Sequence, residues 1–215
     1  SIEYNCFKYM DSVFPSRYVE KLIDDLAQLP SVGRRTALRL SLYILKNSPD
    51  YPMQLMESLK NVVDNVKYCK ICHNICDDDI CPVCSSHKRD NSMLCVIENV
   101  RDFIAIEETN QFNGLYHLLG GVISPLNGIG VEDLNINSLL TRINDNKEIK
   151  EIIFALPTTV EGETTSLYLY KLLSNRGLSI NTIARGVAFG DELEYIDQIT
   201  LGRSIINRVA YQIQK

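Results

Sequence analysis

The first third of the chain places apolar residues at the spacing of amphipathic helices. Apolar side chains recur three and four residues apart from Tyr18 to Leu29, and Pro30 follows, so a helix is predicted over residues 17–29. After the stretch PSVG a second helical run begins. Its apolar positions are Ala37, Leu38, Leu40, Leu42, Ile44 and Leu45.

A third helix is predicted to follow Asp50. Asp50 suits the helix cap and Pro52 suits the first turn. The residues predicted to form its buried stripe are Leu55, Leu59, Val62 and Val66. Three short helices bury little apolar surface, so this part of the chain is expected to need a staple or a neighbour.

Beyond residue 92 short apolar runs alternate with helical patterns. The runs are MLCVI (93–97), EIIFAL (151–156) and LSINTIA (178–184), and they are rich in β-branched residues. Alternating strands and helices predict an α/β part with a mostly parallel sheet, whose ligand sites lie beyond the carboxyl ends of the strands. Because acidic residues follow the first two runs, they should meet at one sheet edge if those strands are neighbours.

Two CxxC pairs, eight residues apart, separate the helical part from the α/β part. Their members are Cys69, Cys72, Cys81 and Cys84. Two tight turns with two thiolates each complete a tetrahedral zinc site, which leaves no open position for catalysis and is therefore structural. Two disulfides are the competing interpretation, and a reducing cytosol disfavours them. His73 and His87 are further candidate ligands, whereas Cys76 is interpreted as a half-buried loop residue.

Two more cysteines, Cys6 and Cys95, are predicted to be ordinary reduced residues, because neither has a basic or histidine-paired setting.

The 215 residues are 45% hydrophobic and 23% charged, as in a soluble globular protein. No stretch approaches the roughly 18 apolar residues of a membrane helix, and no signal peptide opens the chain, so a cytosolic address is expected.

Net charge is −5, yet the segment from Ser31 to Pro49 contains four basic residues and no acidic one. The basic residues are Arg34, Arg35, Arg39 and Lys46. Arg35 and Arg39 lie one turn apart at the start of the second helix, whose backbone N–H groups also suit a phosphate. The segment therefore predicts sequence-independent, salt-sensitive DNA binding, and a solvated surface is the alternative.

The order of these features, together with three long stretches, resembles the RecR family of recombination mediators. The stretches are VIENVRDFIAIEETNQFNGLYHLLGGVISPLNGIGVEDL, TTVEGETTSLYLYKLL and ARGVAFGDELEYIDQITLGRSI. The resemblance runs from about residue 10 to about residue 209. It implies an α+β fold of several parts: an N-terminal helix-hairpin-helix, a four-cysteine zinc motif, an α/β Toprim domain and a C-terminal helical segment.

The domain limits predicted on this basis are an unstructured extension (1–9), the hairpin region (10–67), the zinc motif (68–90), the Toprim domain (91–190) and a C-terminal segment (191–215). In the last of these, LEYIDQITL resembles a Walker B strand. No P-loop accompanies it, so ATP hydrolysis is not expected. In the hairpin, Ser31 stands where the family usually has glycine; serine suits a cap but tolerates positive φ less well.

The resemblance implies a protein of DNA repair without catalytic activity. Members of the family form ring-shaped oligomers, typically tetramers, around single- or double-stranded DNA. With RecO, and with RecF at gap edges, they promote RecA loading on single-stranded gaps. A cytoplasmic, nucleoid-associated location and one structural zinc ion per subunit follow.

Toprim enzymes carry a DPDREGE signature whose aspartates help to hold Mg²⁺. Here PTTVEGE puts Pro157 and Thr159 at those positions, so the site is interpreted as a relic. Weak Mg²⁺ binding and a solvated acidic rim are alternatives, and the family resemblance also implies a RecO contact at Glu161. The acidic residues concerned are Glu98, Asp102, Glu161 and Glu163. A Mg²⁺-dependent nuclease or primase, and a zinc-stapled interaction module without DNA, are the rival functions.

Overall fold

The computed structural model of the chain describes residues 15–47, 49–184, 186–187 and 190–208. The chain forms two compact units, and the division falls between Val66 and Lys67. The predicted extension 1–9 and Cys6 lie outside the described residues. In the described part, no helix is long and apolar enough to cross a bilayer.

The described residues of the first unit form three helices: α1 (Arg17–Leu26), α2 (Arg34–Lys46) and α3 (Asp50–Asn65). Ile23 of α1 packs into its small core with Ala37 and Ser41 of α2, and all three are buried. The prediction that the first helix reaches residue 29 is wrong. After Leu26 the amides of Gln28 and Leu29 bond to carbonyls only three residues back, which turns the chain before Pro30 is reached.

Two predictions for α3 are also wrong. Asp50 is the first residue of the helix and not its cap, because Pro49 occupies the cap position. The apolar stripe predicted to be buried is exposed, with Leu59 at 62% and Val62 at 58% of full exposure. Its amphipathic pattern is real, but the edge-to-face contact between Tyr43 and Tyr51 is a small packing surface, and the described residues of the unit leave the stripe uncovered.

The second unit begins with a two-stranded hairpin and continues with the α/β part. Its strands and helices are β1 (Lys67–Tyr68), β2 (Ile75–Cys76), β3 (Asp90–Ile97), α4 (Val100–Glu108), β4 (Gly114–Leu118), α5 (Ile136–Asp145), β5 (Glu151–Ala155), α6 (Val160–Leu173), β6 (Ser179–Thr182) and α7 (Gln198–Ile206). Strands β1 and β2 are antiparallel and hold the first cysteine turn between them.

The main sheet has the order β4-β3-β5-β6, and all its strand pairs are parallel. The predicted α/β part with a parallel sheet is therefore confirmed, and the first two predicted strands, β3 and β5, are neighbours. Strand β4 was not predicted. Its five residues, GLYHL, are all buried, so they lack the alternation that marks a half-exposed strand, and the run is short enough to pass as part of a helix.

Helices cover both faces of this sheet. On one face Leu94, Val96 and Ile152 pack with Leu139 of α5 and Leu169 of α6. The other face is a smaller layer in which α4 packs, through its half-buried apolar residues, on buried side chains of β3 and β4. Successive residues of a strand point to opposite faces, so a strand buried on both sides reads as a continuous apolar run.

The C-terminal segment contains a short 3₁₀ turn (Leu193–Tyr195) followed by α7. The predicted C-terminal helix is thus present, but the likeness of LEYIDQITL to a Walker B strand is misleading. Asp197, the acidic residue of that pattern, caps α7 by accepting a hydrogen bond from the Thr200 amide at 2.9 Å. An aspartate before an apolar run is as typical of a helix start as of a strand end.

Candidate metal centre, nucleic-acid interface and acidic edge

The two CxxC turns bring four sulfur atoms together. The ligand atoms of Cys69, Cys72, Cys81 and Cys84 all lie within 4.8 Å of one another, and three of these cysteines are buried. Backbone amides support the sulfurs: the Cys81 amide donates to Cys69 Sγ at 3.3 Å, and the Cys84 amide donates to Cys81 Sγ at 3.5 Å. Four converging thiols supported in this way fit a tetrahedral zinc ion.

The thiols of the cluster also bond to one another. Hydrogen bonds from the Cys72 and Cys84 thiols lower the pKa of Cys81. The pKa of Cys72 is raised, because its thiol donates to Cys81. A metal ion bound here would supply the positive charge that ionises these thiols.

The other candidate ligands near the cluster lie apart from it. Cys76 is half-buried and its thiol donates to the Asp78 carbonyl at 2.8 Å, and His87 is exposed. The His73 ring bonds Ser138 of α5 through Nε2, at 2.7 Å, and its backbone has a positive φ of 64°. Burial raises the pKa of the Cys95 thiol to about 12, so this cysteine is not a nucleophile.

The four basic residues predicted to bind DNA occupy three different settings. Arg34 turns towards α1, where Nη1 lies 2.9 Å from Asp24 and Nη2 lies 3.9 Å from Glu20. Arg35 and Arg39 are exposed, lie one turn apart and have no ion-pair partner within the described part of the chain. Lys46 lies in the last turn of α2, about 16 Å along the helix axis from Arg35. The structure therefore brings two of the four together.

The turn before α2 explains how serine replaces glycine in this hairpin. Ser31 adopts a positive φ of 64°, the left-handed conformation that glycine favours, so it does not cap the helix. Gly33 is the cap residue, and it has no side chain that could bond the first helical amides. These amides have no partner within the helix, so they remain available to an anion.

The acidic residues meet at the carboxyl end of the central strands. The register pairs Ile97 with Ala155, so Glu98 and the turn that begins at Pro157 leave the sheet side by side. The opening of that turn is fixed by α6, whose Gly162 amide donates to the Thr159 hydroxyl at 3.2 Å. The condition for the predicted acidic edge, that the two strands are neighbours, is therefore met.

Two residues of the acidic edge and its turn, Asp102 and Thr159, have structural roles. The Asp102 carboxylate accepts a hydrogen bond from the Asn99 amide at 3.0 Å, and the Asn99 side chain accepts one from the backbone of the first helical turn. Together these bonds form a capping box at the start of α4. Thr159 is the cap residue of α6. Sequence reasoning missed both caps, although Asn99 followed by Asp102 after an apolar run is a recognisable helix-start signature.

The acidic edge does not form a second metal cluster. Across the described ranges of the chain, the four cysteines form the sole group of three or more Cys, His, Asp or Glu residues with ligand atoms this close together. Glu161 and Glu163 lie in the first turn of α6, where a negative charge interacts favourably with the helix dipole. This geometry gives no support to a Mg²⁺ site.

Four protein-family models match consecutive segments of the chain. They are the helix-hairpin-helix of RecR (residues 19–63), the four-cysteine zinc-finger domain of RecR (66–86), the Toprim domain (92–184) and the C-terminal region of RecR (186–209). The second model matches the segment that contains the four cysteines.

Full-length relatives agree with these matches. The recombination protein RecR of Parabacteroides distasonis is 51% identical over 204 residues, which are 95% of this chain and 98% of the relative. The RecR proteins of Bacteroides fragilis and Flavobacterium johnsoniae are 48% and 47% identical, over 94% and 93% of this chain and 98% and 96% of theirs. From its four successive domains and this near-complete overlap, the chain belongs to the RecR family.

Proposed function

We propose that this protein is a DNA-binding recombination mediator that grips the phosphate backbone with the start of α2. The observation that carries the proposal is the exposed pair Arg35 and Arg39, one turn apart beside helix amides without an internal partner. Contacts of this kind are made to phosphates and not to base edges, so binding to single- and double-stranded DNA is sequence-independent. The relatives' name, recombination protein, supports the same role.

Of the other two basic residues, Arg34 is a poorer candidate for DNA. Its guanidinium already has Asp24 as a partner, and leaving it for a phosphate would expose two carboxylates of α1 to the DNA. Lys46 lies at the far end of α2, so it reaches a different part of the duplex. We therefore assign DNA binding to Arg35 and Arg39, with Lys46 as an outlying contact.

The protein works without catalysis at the acidic edge. Pro157 and Thr159 offer no carboxylate, and Asp102 is engaged in its capping box. A hard divalent cation needs several oxygen ligands placed around it, which this edge does not supply. The edge instead presents Glu98 and Glu161 to a basic partner, and RecO is the partner we propose. The four cysteines hold one structural zinc ion per subunit.

A ring of subunits completes the proposed mechanism. The exposed apolar stripe of α3 is what a helix covered by a second subunit presents, and a tetramer would repeat the pair of arginines around one opening. Many weak phosphate contacts then add up on one DNA molecule. Such a clamp, acting in the cytoplasm at the nucleoid with RecO and with RecF at gap edges, promotes RecA loading on single-stranded gaps.

Fluorescence anisotropy of a labelled oligonucleotide tests the DNA grip. The variant Arg35→Gln/Arg39→Gln loses two phosphate contacts per bound chain, so the slope of log affinity against log salt falls, for each chain that contacts the DNA, by about 1.8 for duplex and about 1.4 for single strands. Arg34→Gln is the matched control and keeps the wild-type slope. An unchanged slope in the double variant would refute the grip. Mg²⁺-dependent cleavage or extension of the oligonucleotide would favour the nuclease or primase instead.

A further inference from the structure

The first cysteine turn, residues 69–74, covers one edge of the main sheet. Strand β4 lies at one end of the sheet order and pairs with β3 on one side. The Leu119 amide donates towards β3, to the Ile97 carbonyl, so the neighbouring residue Leu118 directs its backbone groups away from the sheet. An edge strand with unpaired groups of this kind is a template for pairing with another strand.

No further strand lies beyond β4 within the described residues, and other groups take its place. The Leu118 amide donates to the carbonyl of the zinc-ligand residue Cys72 at 2.9 Å. The Leu118 carbonyl accepts from Asn135 Nδ2 at 3.0 Å, and the Tyr116 carbonyl accepts from Arg142 Nη1 at 2.6 Å. The β4 edge is therefore closed by side chains and by one backbone carbonyl of the cysteine turn.

A second set of contacts holds the cysteine turn against this edge. Ser138 donates to the Asn135 carbonyl at 2.9 Å, so its hydroxyl oxygen accepts from His73 Nε2 at 2.7 Å. The His73 ring also packs edge-on against His117 of β4, with centroids 5.2 Å apart, and His117 Nε2 donates to the same Asn135 carbonyl at 2.8 Å. His73 directly follows Cys72, so the position of this ring depends on the fold of the cysteine turn.

We propose that the first cysteine turn is a seal for the β4 edge: metal binding fixes Cys72 and His73 in place, and loss of the metal uncovers the Leu118 amide while the rest of the sheet stays paired. The inference rests on the zinc site proposed above. Strand β5 lies between β3 and β6 in the middle of the sheet, so its pairing does not depend on the cysteine turn.

Amide hydrogen exchange of the full-length chain, with zinc content measured on the same samples, tests the seal. Removing zinc with a chelator should speed exchange at Leu118 by about tenfold or more, whereas amides of β5 stay protected. Readdition of zinc should restore the protection. Equal loss across β4 and β5 would mean that the metal holds the whole unit, and unchanged exchange at Leu118 would mean that it seals nothing; either result overturns the proposal.

Two variants separate the seal from zinc binding itself. His73→Asn keeps a residue that tolerates positive φ but removes the ring, and Ser138→Ala removes its partner. Both should retain one zinc ion per chain and yet show faster exchange at Leu118. The control His87→Asn alters an exposed histidine of the same segment and should change neither quantity. Exchange at Leu118 that is as slow as in the wild type, in both test variants, overturns the seal. A wild-type chain that binds no zinc overturns the zinc site as well.

Discussion

The ion pair between Arg89 and Glu107 offers a sharp test of how the second unit is held together. The two groups form a two-pronged contact, with one N–O distance of 2.9 Å and one of 2.5 Å, and Tyr116 donates to the same carboxylate at 2.7 Å. Their side chains are 16% and 27% exposed. The contact links the residue before β3, the end of α4 and the buried strand β4, so Glu107→Gln disturbs all three.

The magnitude follows from this burial. Breaking a fully buried pair costs about 3–5 kcal/mol, and an exposed pair contributes about 0–1 kcal/mol. Because this pair is half-buried and glutamine keeps one acceptor oxygen, Glu107→Gln should lower the free energy of unfolding by about 2 kcal/mol. Urea unfolding followed by circular dichroism should then show a midpoint about 1 M lower. Asp25→Asn, which removes the exposed pair with Lys21, is the control and should leave the midpoint unchanged.

The same pair predicts a pH dependence with a definite sign. The hydrogen bond from Arg89 lowers the pKa of Glu107 below its usual value of 4.5. A carboxylate with a lowered pKa in the folded state stabilises the protein above about pH 4.5 and loses this effect as the pH falls through the folded pKa. The difference between wild type and Glu107→Gln should therefore be full at pH 6 and shrink in acid. A difference that stays constant, or a midpoint unchanged at pH 6, would refute this reasoning.

Three further predictions concern the oligomer, the acidic turn and the buried thiol. Leu59→Lys/Val62→Lys in the α3 stripe should lower the particle mass measured by light scattering, whereas Asn61→Lys should not; an unchanged mass in the first variant would contradict the proposed interface. Gly162→Ala should lower the thermal midpoint by about 5 °C or more, because a Cβ there lies 2.0 Å from the Pro157 carbonyl oxygen, and overpacking costs about 1–3 kcal/mol. Gly202→Ala, which meets open space, is its control, and equal midpoints for the two variants would argue against a close approach. Cys95 should resist an alkylating reagent at pH 8 until the chain unfolds, since burial raises its pKa to about 12; rapid labelling of the folded protein, detected by peptide mass spectrometry, would disprove its burial.

Local chemistry was readable from the sequence. The spacing of the four cysteines predicted a cluster that the structure forms, because two residues between ligands suit a tight turn whatever surrounds it. The runs MLCVI and EIIFAL predicted neighbouring parallel strands, and the register of β3 and β5 agrees. The loss of both signature carboxylates at Pro157 and Thr159 was likewise a matter of residue identity alone.

Other features depended on partners that are distant in sequence. Arg34 and Arg35 are adjacent and chemically identical, yet α1 brings Asp24 to the first and no ion-pair partner among the described residues to the second. The Leu59 stripe has the pattern of a buried face, and only the packing of its unit leaves it exposed. A continuous apolar run could not reveal that β4 is an edge strand, because edge and centre differ in what lies beside the backbone.

Residue identities alone show which groups are present: four thiols at metal-binding spacing, a basic helix start, and an acidic turn without its aspartates. The tertiary structure decided which of these groups are still available. Ion pairs, helix caps and edge contacts form between segments far apart along the chain, and each occupies donors or acceptors that residue identity alone leaves open. Which groups can bind a partner therefore depends on the residues that folding places beside them.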